Sequence, residues 1–78
     1  MQEIIWDSYK LEPRYIRLER ANQLASEVTN LRVSEIEEIR YHKEGTNEHI
    51  YIFTNDTNHR LNMNRKVYDE IIKHCANQ

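Results

Sequence analysis

The chain has 78 residues, 38% of them apolar and 31% charged, with a formal net charge of −2 and one cysteine, one glycine and one proline. A single α+β domain over 1–78 is expected, with a small core, because a chain this short buries only about 60% of the surface its unfolded form exposes. The lone Cys75 excludes an internal disulfide. The longest apolar runs, Ile4-Ile5-Trp6 and Ile50-Tyr51-Ile52-Phe53, fall far below the ~18 residues of a membrane helix. Glu3 and Asp7 stand where a leader would need apolar or basic residues, so a cytoplasmic protein without a leader or membrane segment is expected.

Pro13 suits the first turn of a helix, where its missing N–H costs nothing. Leu18, Ala21, Leu24, Ala25, Val28 and Leu31 then recur at spacings of three and four. On a helical wheel they fill one arc, with Glu19, Asn22, Gln23, Ser26 and Glu27 outside it, which predicts an amphipathic helix over 13–30. Tyr15 and Ile16 fall off that arc, which leaves open a later helix start with 14–18 extended.

The middle of the chain supports two readings. In the first, 37–43, 49–54 and 60–63 form a three-stranded antiparallel meander, with turns at 44–47 and 55–58. In the second, 35–44 is a helix with a Ser34/Glu37 capping box and Gly45 just past its end. That gives a helix-helix-hairpin-helix layout resembling a winged helix. The meander is preferred, because only Ile36 and Ile39 would line an apolar face on such a helix. If His42 faces His49 and Asn55 faces Asn58, then Ile39, Tyr41, Ile50, Ile52, Leu61 and Met63 share one side. The last element is predicted helical over 65–76, capped by Asn64, with Val67, Tyr68, Ile71, Ile72 and Cys75 at helical spacing.

The other side of the meander carries the candidate site: Tyr51 and Phe53 along one strand, flanked by Arg40, Arg60, His42 and His49. Tyr, Phe and Arg together mark the centres of protein interfaces. Aromatics rimmed by bases also stack nucleobases in single-strand and RNA binders. Glu38 on the same side and the negative net charge weigh against phosphate, so a protein partner or self-association is expected ahead of nucleic acid. The competing structural reading has Ile4, Ile5 and Trp6 fold over Phe53 and cover this side. The winged-helix layout would place Glu35, Glu37 and Glu38 where a recognition helix meets base edges, which is unfavourable for DNA.

No catalytic, metal or cofactor site is expected. His42 and His49 supply two ligands where zinc takes at least three from protein. Cys75 continues the apolar stripe, and its neighbour His74 points elsewhere on the helix. The glutamates at 35, 37 and 38 read as a solvated charge run. A single glycine leaves no phosphate-cradling loop. The expected function is therefore a non-enzymatic protein-binding module, a small regulator or inhibitor, alone or as a homodimer.

Overall fold

The computed structural model describes residues 2–21 and 24–78. Among the described residues, seven strands precede one helix: β1 (Gln2–Trp6), β2 (Ser8–Glu12), β3 (Tyr15–Ala21), β4 (Ser26–Arg32), β5 (Glu38–Glu44), β6 (Asn47–Phe53), β7 (Thr57–Leu61) and α1 (Arg65–Ala76). A 3₁₀ turn, Val33–Glu35, joins β4 to β5. The strands make a four-stranded sheet in the order β1-β7-β6-β5 and a three-stranded sheet in the order β2-β3-β4.

This overturns the expected architecture of two helices around one meander. The segment predicted as an N-terminal helix over 13–30 contains β3 and β4, paired antiparallel from Tyr15↔Arg32 to Ala21↔Ser26. Asn22 and Gln23, which fell within that prediction, lie outside the described residues. Pro13 does not open a helix. Pro13-Arg14 is the two-residue turn between Glu12 and Tyr15, where Arg14 has φ 70°. The side chains follow a period of two: Ile16 and Leu18 are fully buried, while Leu24, placed on the predicted apolar arc, is 97% exposed. The helical reading of 35–44 is overturned as well, since β5 occupies most of that segment, and the winged-helix layout goes with it.

Within the larger sheet, β5 and β6 pair with His42 opposite His49 and Tyr41 opposite Ile50. The β6–β7 hairpin pairs Phe53 with Asn58 and Ile50 with Leu61. That register is two residues away from Asn55 facing Asn58. A shift of two leaves every side chain on its original face, so Ile50, Ile52 and Leu61 still point inward and are fully buried. Ile39, Tyr41 and Met63 pack against them.

Both sheets and the helix share one core. Ile16, Leu18 and Leu31 come from the smaller sheet, Trp6, Ile50, Ile52 and Leu61 from the larger, and Ile71 from α1. The helix spans 65–76 with Asn64 as its cap, the Asn64 side chain accepting from the Val67 N–H at 3.2 Å. One flank of α1 faces β5, where Tyr68 and Tyr41 have ring centroids 5.7 Å apart. The other faces β2, where the Tyr9 hydroxyl donates to Glu70 at 2.9 Å. Burial, followed by that Glu70 contact, raises the Tyr9 pKa.

Candidate functional site

The outward face of the four-stranded sheet presents its side chains in cross-strand rows, because pairing register and alternation fix which residues sit side by side. One row reads Glu38, Phe53, Asn58, Glu3 across β5, β6, β7 and β1; the next reads Arg40, Tyr51, Arg60, Ile5. His42 and His49 head the third row. All six residues picked out from the sequence thus share one face.

Ile4, Ile5 and Trp6 do not fold over this face. They form β1, which adds in the plane of the sheet, parallel to β7. Alternation then divides them. Trp6 enters the core and Ile4 packs against it, whereas Ile5 is 43% exposed on the outward face beside Arg60. Tyr51 and Phe53 are half-buried and stacked, with centroids 6.2 Å apart and ring planes at 25°. His49 extends the row at 6.3 Å from Tyr51, and the Arg40 guanidinium lies 5.7 Å from the Phe53 centroid. Arg40, Tyr41, His42, Tyr51, Phe53 and Asn58 line a depression of about 300 Å³. Asn58 Oδ1 is shielded from solvent there, with no hydrogen-bond partner among the described residues.

The basic residues of the face are paired. Arg40 Nε lies 2.8 Å from Glu38, Arg60 Nη1 lies 3.4 Å from Glu3, and His42 Nε2 lies 3.8 Å from Glu44. Arg60 Nε also donates to Asn62 Oδ1 at 2.8 Å. His49 Nδ1 lies 2.8 Å from that same oxygen and 3.3 Å from Arg60 Nη2. An arginine can only donate, so Nδ1 cannot serve both neighbours in one tautomer. The shorter contact favours N–H at Nδ1, donated to Asn62, with the guanidinium merely adjacent. Among the described residues, no three His, Cys, Asp or Glu side chains are grouped to hold a metal ion, and no helix is long and apolar enough to cross a membrane.

Glu3, Ile5 and Asn58 belong to the face but were not among the residues chosen from sequence. The Ile4-x-Trp6 alternation was a usable strand signal. Nothing local reveals that β1 pairs with a strand more than fifty residues away, as Ile5↔Arg60 does. Comparisons with known protein families, with characterised proteins and with solved structures each found no match.

Proposed function

We propose that the protein is a non-enzymatic, cytoplasmic protein-binding module that engages its partner through the outward face of the four-stranded sheet. One observation carries this reading: Tyr51 and Phe53 stay half-exposed and stacked while Arg40, Arg60 and His42 each have a carboxylate within 4 Å. A surface that grips a phosphate backbone leaves its cations free for phosphate. This one neutralises them internally and keeps an aromatic centre with Ile5 at its margin, the composition of a protein interface core. The unmet acceptor on Asn58 supports the same reading, since a shielded oxygen gains most from a donor brought by a partner. The lone half-buried Cys75, whose thiol pKa burial raises, is compatible with a reducing compartment.

The test is a tagged pull-down from the source cell, run in parallel with Tyr51→Ala/Phe53→Ala. The double variant should keep the native circular dichroism spectrum and lose the protein captured by the parent. Retention of every captured protein would sink the reading. A low-salt gel shift with single-stranded oligonucleotide that disappears in the double variant would replace it with a nucleic-acid function.

A further inference from the structure

We propose that a second copy of this chain pairs antiparallel along the free edge of β5, about a two-fold axis at His42. The inference concerns the strand edge and does not rest on Tyr51 or Phe53, although Arg40 and His42 belong to both surfaces.

β5 ends the larger sheet, and no strand among the described residues pairs with its outer side. Gly45-Thr46 is a two-residue turn between the opposed residues Glu44 and Asn47, with Gly45 at φ 61°. Such a turn makes Glu44/Asn47 a hydrogen-bonded pair. Alternation then directs the backbone groups of Arg40 and His42 toward β6, and those of Ile39, Tyr41 and Lys43 outward. An edge of this kind is a template for another strand.

A two-fold axis normal to the sheet must pass through a residue, because directly opposed side chains share a face. Within Glu38–Glu44, three such registers pair five or more strand residues, centred on Arg40, Tyr41 or His42. The Arg40 centre sets Arg40 against its own copy. The Tyr41 centre sets Glu38 against Glu44 on both sides of the axis, a repulsive carboxylate pair each time. The His42 centre sets two imidazoles, which can be neutral where arginine cannot, against each other at the axis and Arg40 against Glu44 on both sides of it. Arg40 reaches Glu38 through Nε at 2.8 Å, and a guanidinium has five N–H donors, enough to serve the copy's Glu44 as well. Gly45 would lie opposite Ile39 of the copy, and a Cβ at Gly45 would meet nothing within 4 Å, so the turn leaves room.

The core-facing side of this edge agrees. Lys43 points to that side, a charge that deters indiscriminate pairing. In the His42 register it opposes Tyr41 of the copy, whose hydroxyl is bonded to Glu48, so the lysine meets a carboxylate. Above the edge runs the α1 stripe Arg65, Tyr68, Ile72. Arg65 lies 6.0 Å from the Tyr41 centroid and Tyr68 packs on the same ring, while Ile72, next along the stripe, is 38% exposed. The edge thus has an apolar shoulder for a copy to cover. The pair would form one continuous eight-stranded sheet with both aromatic faces on the same side.

The register gives a specific test. At the axis the two His42 Cα atoms would be a non-hydrogen-bonded pair about 4.5 Å apart, within disulfide range. In a Cys75→Ala background, His42→Cys should form a covalent dimer on mild oxidation at least tenfold faster than Lys43→Cys, whose partner is Tyr41 rather than itself. The Cys75→Ala parent should sediment as a reversible dimer at high concentration, and Glu44→Lys should shift it to monomer. Adding Tyr51→Ala/Phe53→Ala should leave the His42→Cys cross-link intact. Equal cross-linking at both positions, a monomer mass at every concentration, or loss of the cross-link with the aromatic pair would each overturn the proposal.

Discussion

The indole Nε1 of Trp6 donates to Nδ1 of His59 at 3.0 Å, linking the first strand of the chain to the last inside the core. His59 is 5% exposed, the one buried polar residue among those described. Accepting at Nδ1 requires the neutral ring with its proton on Nε2. Burial pushes the His59 pKa below the ordinary imidazole value, and Asp56 opposes this only in part.

The sign of the pH effect follows. The unfolded chain takes up this proton more readily than the folded one, so stability is complete above about pH 6.5 and falls as pH drops below it. Protonation at Nδ1 also removes the acceptor that Trp6 uses. The melting temperature should therefore decline between about pH 7.5 and 5. His59→Phe should flatten that decline yet melt lower at neutral pH, because a buried indole N–H without a partner costs about 1–3 kcal/mol. A parent melting curve unchanged over this range would contradict the assignment.

Asn64 gives a prediction that rests on one bond. Its side chain caps α1 through the Val67 N–H, and the first turn holds no acidic residue to compensate for its loss. Asn64→Ala should cost about 1 kcal/mol in chemical denaturation, and Asn64→Asp should recover most of it. If Ala and Asp destabilise equally, the cap contributes little.

The contrast between this helix and the segment at 13–30 shows what a short sequence reveals about a fold. Asn64, the Ile71 stripe and the late Lys73 and His74 are local signals, and they converge on one helix. The same holds for β5 and β6, where the turn and the cross-strand pattern lie within a few residues of each other. Over 13–30, two strands of seven residues, each with its own period of two, happened to set Leu18, Val28 and Leu31 on one helical arc. Ile16, which did not fit the arc, is fully buried, and Leu24, which did, is almost wholly exposed. The misfit at Ile16 was the strand signal. The outward face was legible because a two-residue register error preserves sidedness. Its fourth strand was not, since the parallel β1–β7 pairing joins the two ends of the chain and depends on tertiary packing.

Glu48 joins the first hairpin of the larger sheet to the start of the helix. Its Oε1 accepts from the Tyr41 hydroxyl and, at 3.3 Å, from the Arg65 backbone N–H. The Tyr41 bond, chiefly, lowers the Glu48 pKa, helped by the Arg65 N–H and Lys43 and opposed by burial. A carboxylate with a depressed folded pKa contributes stability that is complete above about pH 4.3 and is lost as pH falls through the folded value. Glu48→Gln should therefore melt below the parent at neutral pH, and the two curves should converge in acid. A gap that stays constant from neutral pH to about pH 3 would show that ionisation of Glu48 contributes nothing.

Two turns hold a residue in the left-handed region, and they make opposite predictions. Gly45, at φ 61°, opens the turn between β5 and β6, and a Cβ there would meet no neighbour within 4 Å. The cost of Gly45→Ala is thus backbone strain alone, about 1–2 kcal/mol, offset in part by the ~0.4–1 kcal/mol gained from restricting the unfolded chain. Arg14, at φ 70°, also has a positive φ but carries a side chain, as the second residue of its turn. Its backbone is held on both sides, the N–H donating to the Gln78 side chain and the C=O accepting from the Val33 N–H. Both bonds survive substitution, so Arg14→Gly should relieve the strain and stabilise the fold by about 0.5–1 kcal/mol, whereas Gly45→Ala should destabilise it. Urea midpoints measured side by side decide the matter. If Arg14→Gly lowers the midpoint, the Arg14 side chain has packing that outweighs the strain at its backbone.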